Sequence, residues 1–336
     1  MDYQEIIKNA REKMAPQCRV CRNCNGQACR GEIPGTGGKG SGSAFIRSRE
    51  RVEAVRLNLD VLCEYRGEDP SCQIFGMEMA APVFAAPISG MATNYNGYFT
   101  EKTYAAELVP GCAAAGTVAF TGDGAADFFF TDPLEAVRKA GGRGIPTIKP
   151  WDFDTVLQKI RLAEEAGAKA LCMDIDSAGL PLLAAAGKPV TGKSRQELEK
   201  IIASTEKPFI VKGIMTVRAA KLAEEAGAAG IVVSNHGGRV LDDAAAPFDV
   251  LEEIAQSVHC TVLVDSGIRT GYDVFKALAL GADGVLIGRP YVTAAYGGMA
   301  EGVEIYTRHI IDELKDAMKM TGCSTLAEIT REKVRF

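Results

Sequence analysis

The sequence predicts an α/β fold: a (β/α)₈ TIM barrel preceded by a short helix and a Cys/Gly-rich arm. Three observations lead there. Eight short apolar runs recur from about residue 80 onward. An amphipathic segment of helical period follows each run, as in βα units built on a parallel sheet. The 336 residues are enough for one barrel of roughly 250 residues with added segments. The expected division is residues 1–43 for the helix and arm and residues 44–336 for the barrel.

The elements follow in order. Residues 2–14 form a short amphipathic helix. Residues 15–43 are dense in Cys, Gly and Arg and end in GEIPGTGGKGSGS, where regular structure is not expected. The strands are expected at 82–87, 116–120, 145–149, 170–174, 209–213, 230–234, 261–265 and 284–288. Two helices carry near-identical text, LAEEAGAKAL at 162–171 and LAEEAGAAGI at 222–231. Each should end at its Gly, which takes the left-handed conformation that closes a helix. Residues 175–193 form a long loop after the fourth strand, a wall of the site. Residues 300–322 form a closing helix, followed by a polar tail.

Composition narrows the function classes. Hydrophobic residues make up 47% and charged residues 24%, and the net charge is −5. That balance suits a chain with a full core and argues against nucleic acid as a partner. No apolar run approaches the ~20 residues that span a bilayer, so no membrane span is expected. The first residues lack the apolar region of a signal peptide, and a cytoplasmic location is the expectation.

In a barrel of this kind the working residues sit at the C-terminal ends of the strands. Asp174 ends the fourth strand and Lys212 lies on the fifth. Ser234-Asn235-His236-Gly237-Gly238-Arg239 follows the sixth, Asp265-Ser266-Gly267-Ile268-Arg269 the seventh, and Gly288-Arg289 the eighth. Burying so many unpaired charges would cost several kcal/mol per group, so they are expected to serve a site. Gly267, Arg269, Gly288 and Arg289 read as a phosphate site, which barrels commonly form after strands seven and eight. His236 is one of three His, and of these only it follows a strand at the functional end. A neutral imidazole there is a base suited to neutral pH. Arg239 supplies a fork for a carboxylate, and Asp174 is expected to orient the imidazole.

SNHGGRVLDD (234–243), PFIVKGI (208–214) and VDSGIRTGYDVFKALALGADGVLIGRP (264–290) resemble the FMN-dependent 2-hydroxy-acid dehydrogenases and oxidases, the glycolate oxidase and lactate oxidase group. SAFIRSR, APVFAAPISGMA and CAAAGTVAF extend the likeness into the N-terminal half. The resemblance implies FMN and the oxidation of a small 2-hydroxy acid to a 2-oxo acid. It implies His236 as the catalytic base, Asp174 as its partner, Arg239 as the substrate-carboxylate arginine and Lys212 as the lysine at the flavin N1–O2 edge. Asp265, Gly267, Arg269, Gly288 and Arg289 match the ribityl and phosphate contacts, with Ser234 and Ser266 beside them. Ala85, Ala86, Pro87 and Ile88 match the first-strand stretch along the flavin. Thr147 falls where the family usually has a flavin-binding Gln, and Cys172 where it usually has Thr. The group also implies a homo-oligomer, a tetramer or larger.

The departures lie on the far wall of the pocket. Lys149 stands where a substrate-binding Tyr is usual and is expected to bind substrate instead. The loop after strand four carries Lys188 and Lys193 and no Arg. Thr121-Gly122-Asp123-Gly124 lacks the usual Ser and aromatic. The N-terminal substrate Tyr falls near Cys18, so Cys18, Asp123 and Lys149 are expected to face His236.

Ten cysteines complete the reading. Cys63, Cys72, Cys112, Cys172, Cys260 and Cys323 are scattered and read as reduced thiols. Cys18-x₂-Cys21-x₂-Cys24-x₄-Cys29 is a cluster of metal-ligand type. The spacing favours [4Fe–4S] over structural Zn, and reduced surface thiols remain the plain alternative. A cluster beside the flavin would let electrons leave toward an unknown acceptor other than oxygen. Two further readings stay open: an FMN barrel isomerase resembling the type 2 isopentenyl diphosphate isomerases, and a non-catalytic flavin redox sensor.

Overall fold

The computed structural model describes residues 1–64 and 66–336. Eight parallel strands close into a barrel in chain order. They are β1 (Val83–Ala85), β2 (Val118–Thr121), β3 (Gly144–Ile148), β4 (Leu171–Asp174), β5 (Phe209–Ile214), β6 (Gly230–Val233), β7 (Thr261–Val264) and β8 (Gly284–Ile287). Closure is made by β8 on β1, with Val285 opposite Val83 and Ile287 opposite Ala85. Strands buried on both faces read as continuous apolar runs rather than alternating ones, which is why these eight stood out.

Two cores result. One fills the barrel with Phe84, Phe120, Ile145, Ile210, Val232, Leu263 and Leu286. A hairpin, Cys72–Ile74 with Met77–Met79, stops its N-terminal end with Ile74, Met77 and Met79. The other core lies between the strands and the surrounding helices. The two LAEEAG helices end as expected, with Gly167 at φ +80° and Gly227 at φ +95°.

The N-terminal helix α1 spans Tyr3–Lys13, and the Asp2 carboxylate accepts the Glu5 N–H at 2.8 Å. Residues 14–42 contain no helix or strand, and α2 follows at Ser43–Ala54. At the other end the structure departs from expectation. The final helix begins at Arg289, directly after β8, and runs to Met320 with a break at Gly298 and Met299. The Gly297-Gly298 pair hid its first half, because paired glycines read as a breaker. They are there for packing: a Cβ on Gly297 would lie 2.2 Å from the Ile6 carbonyl oxygen of α1. The tail is also not free, since Val334–Arg335 pairs antiparallel with Arg56–Leu57. Among the described residues, no helix is long and apolar enough to cross a membrane.

Candidate active site

The strand ends open onto a cavity of about 470 Å³, a volume typical of small-molecule sites. Its walls include Ala86, Pro87, Ile88, Lys149, Lys212, His236, Arg239, Asp265, Ser266, Gly267, Arg269, Gly288 and Arg289. Most of the residues picked from the strand ends therefore meet in one place. Ala85 does not, since it packs in the outer core. Cys172 is fully buried in the barrel interior, and Thr147 and Ser234 are buried outside the cavity wall.

His236 takes a left-handed backbone conformation, φ 58°, at the turn after β6. Its N–H donates to Ser234 Oγ at 3.0 Å, and its Nδ1 lies 3.0 Å from Asp176 Oδ1. The imidazole's partner is thus Asp176, not Asp174. Residues 172, 174 and 176 share one parity on an extended strand, so alternation could not choose between them. The choice is made by where β4 stops: Asp174 is its last residue, and a 3₁₀ turn, Ile175–Gly179, carries Asp176 under the imidazole. Asp174 instead holds Lys149, with Nζ 2.6 Å from Oδ2, and both side chains are buried. Lys149 lines the cavity, yet its ammonium is committed to that pair rather than free for substrate.

Lys212 stands at the hub. Its Nζ lies 2.9 Å from Ser234 Oγ, 3.5 Å from Asp265 and 3.8 Å from Asp176. Burial alone would depress the ammonium, but Asp176, Asp265 and Asp174 outweigh it and hold its pKa above the usual lysine value. Burial lowers the His236 pKa and Lys212 lowers it further, while Asp176 pulls it back in part. The net result is an imidazole poised in its neutral form. Burial pushes the Asp176 carboxyl up, but Lys212 and His236 win and hold it well below the usual carboxylate range.

Three arginines ring the far side, and the arm reaches all of them. Arg239 Nη1 donates to the carbonyls of Gly35 (2.8 Å) and Gly37 (2.9 Å), and its Nη2 donates to Asn94 Oδ1 at 3.0 Å. Burial, then Arg289, pushes its guanidinium down to about 10. Arg289 donates to the Thr36 carbonyl at 2.8 Å and stacks 3.7 Å from the Phe45 ring centroid. Arg269 donates to the Cys24 carbonyl at 3.0 Å. Two glycines make this approach possible. A Cβ on Gly37 would sit 1.9 Å from the Cys29 carbonyl oxygen, and one on Gly238 would sit 2.4 Å from the Phe45 nitrogen.

The residues fit a phosphorylated flavin. Buried polar atoms normally have hydrogen-bond partners. Here Thr121 Oγ1, Thr147 Oγ1, Asp174 Oδ1, Asp176 Oδ2, Ser177 Oγ and Arg269 Nη2 have none among the described residues. Of these, Arg269 lines the cavity itself, and the other five lie behind its wall on β2–β4 and the turn after β4. Arg289 opens the final helix, so the cationic N-terminal end of that helix points to the same place as the two arginines.

Cys18 is not across from His236. The four arm cysteines line a second cavity, on the other side of Tyr95, Arg269 and Arg289, which border both. Asp123 and Lys149 do line the site, but Asp123 is a tie: it accepts from Lys149 N (3.0 Å), Trp151 Nε1 (2.7 Å) and Lys159 Nζ (2.8 Å). Leu180, Leu182 and Leu183 line the cavity from the 175–193 segment, as expected for that wall, whereas Asn94, Tyr95 and Phe129 were not anticipated. Of the residues missed, only Asp176 had a visible signal, the second acid of the Asp174-Ile175-Asp176 run.

Residues 35–186 and 184–336 match the profile of the FMN-dependent dehydrogenase family. The 4-hydroxymandelate oxidase of Amycolatopsis orientalis is 30% identical, with 91% of this chain and 95% of that protein aligned. Glycolate oxidase 1 of Zea mays is 31% identical over 85% of this chain and 86% of its own. The L-lactate oxidase of Lentilactobacillus hilgardii is 31% identical over 78% of each. Among solved structures, mandelate oxidase with (S)-2-phenylpropionate superposes with a TM-score of 0.79 at 27% identity, covering 99% of this chain and 97% of that one. A mandelate oxidase variant holding an FMN adduct gives a TM-score of 0.80 at 28% identity over 97% of each.

Proposed function

This chain belongs to the FMN-dependent dehydrogenase family, and on that premise we propose that it oxidises a 2-hydroxy acid to the 2-oxo acid with His236 as base and Arg239 as carboxylate anchor. The observation that carries the proposal is the His236–Asp176 contact of 3.0 Å on the wall of a cavity that Arg239 also lines. With Nδ1–H donated to Asp176, the lone pair of Nε2 is left to take the substrate hydroxyl proton. Asp176 then faces the imidazolium that forms.

FMN, when bound, supplies the two-electron acceptor for the C2–H bond. Arg269, Arg289, Gly267, Gly288, Asp265 and Ser266 would hold its phosphate and ribityl chain, and Lys212 would offset negative charge on its ring. Leu180, Leu182, Leu183 and Phe129 give the pocket an apolar wall. An apolar substituent on the hydroxy acid is accordingly favoured over a second carboxylate.

For the electrons' exit we favour a metal centre on the cysteine arm over direct transfer to dioxygen. The reason is that Tyr95, Arg269 and Arg289 border both the site and the thiol-lined cavity. The acceptor would be a one-electron carrier. We propose in addition a cytoplasmic location and a homo-oligomeric assembly.

Anaerobic mixing of the FMN-loaded protein with a panel of 2-hydroxy acids tests the reaction. Bleaching of the flavin band by lactate, 2-hydroxyisocaproate or mandelate is the expected result. No bleaching by any member, with FMN demonstrably bound, would refute the reading. Arg239→Met should raise KM by about 10–100-fold, the equivalent of roughly 1.5–3 kcal/mol for charge-assisted hydrogen bonds. An unchanged KM would remove Arg239 from the carboxylate site.

A further inference from the structure

We propose that Cys18, Cys21, Cys24 and Cys29 hold a polynuclear iron–sulfur cluster, of the [4Fe–4S] kind, in the cavity that adjoins the flavin site behind Arg269 and Arg289. All four thiols line this one space of about 770 Å³. They are free cysteines, so no disulfide claims them. The inference stands on the arm and its cavity, and it does not depend on which substrate the barrel oxidises.

Charge gives the first independent support. Seven cationic side chains line the cavity, Arg269 and Arg289 among them, and not one Asp or Glu. Arg19 and Arg49 are paired with Glu32 and with Asp273 and Glu53, but Lys8, Arg11, Arg22, Arg269 and Arg289 have no carboxylate partner among the described residues, and the natural counterpart of these five is an occupant of net negative charge. A cluster carried by four thiolates is such an occupant. Iron–sulfur centres are also tuned by the charges and hydrogen bonds around their sulfurs.

Thiol spacing gives the second. Zinc–sulfur bonds of ~2.3 Å would draw the four sulfurs of a tetrahedral site to within about 4 Å of one another. No three of these thiols are that close: among the described residues the only ligand-type trio within 4.8 Å is Asp174, Asp176 and His236. That trio carries no metal proposal, because Lys149 and Lys212 already neutralise it. Sulfurs spread around a common space suit several irons bridged by sulfide better than one central ion.

The backbone gives the third. The Cys18 Sγ accepts the Val20 N–H at 3.4 Å, a bond that orients the sulfur. Val20 makes it from φ 43°, a left-handed conformation that a β-branched residue rarely adopts. The whole stretch 14–42 has no helix or strand, and Val20 is the one apolar side chain in its cysteine segment, 18–29, that is buried. Metal-ligand bonds fold segments that cannot bury enough apolar surface to order themselves. The cysteines also lie before residue 35, where the match to the family profile begins.

Binding replaces each S–H bond by an S–Fe bond and releases the four thiol protons to solvent. Supplying equal ferrous and ferric iron with sulfide provides the cluster's oxidation level without a further oxidant. The full-length protein, FMN-loaded, is purified anaerobically or reconstituted in that way, then assayed for iron, acid-labile sulfide and zinc. An electron paramagnetic resonance spectrum is taken after dithionite reduction.

The expected result is about four iron and four sulfide per chain, with a cluster signal on reduction. Cys18→Ser and Cys29→Ser should each lower iron at least severalfold while FMN content holds, and Cys63→Ser, outside the cluster, should change neither. If the serine variants do not fold, iron release by a chelator under mild oxidation is read on the unaltered protein: the broad cluster absorbance should fall while the flavin band stays. One zinc per chain without sulfide would overturn the proposal. So would iron below half an equivalent after reconstitution, or protection of the thiols from alkylation by inorganic phosphate alone, which would make the cavity an anion site.

Discussion

Replacing His236 by Ala is expected to lower kcat/KM for the 2-hydroxy acid by about 10²–10⁴-fold, the usual contribution of a positioned general base. FMN content should not change, because Arg269, Arg289, Gly267 and Gly288, proposed to hold its phosphate, are untouched. The acid limb of the pH profile reports the same group. The base works only when neutral, so activity is present above its pKa and is lost as pH falls through it. Burial and then Lys212 hold that pKa below the ordinary histidine value of 6.5, and Asp176 opposes them. The inflection in kcat/KM is therefore expected below pH 6.5, with a plateau through neutrality. Asp176→Asn removes the opposing charge, so the inflection moves further down. The plateau also drops, since the imidazolium formed in the reaction loses its counter-ion. Coincident profiles for the two proteins would show that Asp176 does not act on His236, and retained turnover by His236→Ala would assign the proton to another group.

Lys149→Met is expected to destabilise the protein by about 3–5 kcal/mol, the range for removing one partner of a buried ion pair. Its ammonium is 2.6 Å from Asp174, and both side chains are almost wholly buried. Without it the Asp174 carboxylate is left in the barrel mouth with Lys212 as its nearest remaining compensation, and Lys212 already serves Asp176 and Asp265. Much of the expected cost is the stranded charge rather than the value of the contact. The double variant Lys149→Met/Asp174→Asn should for that reason recover a large part of the loss. Urea unfolding of the two single variants and the double closes the cycle. A single-variant loss under about 1 kcal/mol would mean that Lys212 takes over Asp174 completely, and the pair would then have no separate structural role.

These two expectations divide along what was readable in one dimension. The barrel was readable because each strand is buried on both faces and its apolar run stands out against the amphipathic helices. The strand-end polar residues were readable because a barrel uses only one of its ends for chemistry. His236, Arg239, Lys212, Arg269 and Arg289 are thus legible from position along the chain, which belongs to the FMN-dependent dehydrogenase family.

Legible in the sequence, then, are the fold and most of the charges at the strand ends, with Asp176 the exception. Which charge meets which was decided by the tertiary structure alone. Asp174 and Asp176 are equivalent by alternation, and the residue at which β4 gives way to a turn separates them: one pairs with Lys149, the other with His236. The expectation that Cys18 faces His236 rests on the chain position of the family's N-terminal substrate Tyr, which says nothing of the path the arm takes here. That path is set by contacts spanning some 200 residues, Arg239 to Gly35 and Gly37, and Arg289 to Thr36. They carry the thiols past the arginines into a separate cavity. Local propensity contains no term for such contacts, since a backbone carbonyl and a distant guanidinium meet only once the barrel between them has closed.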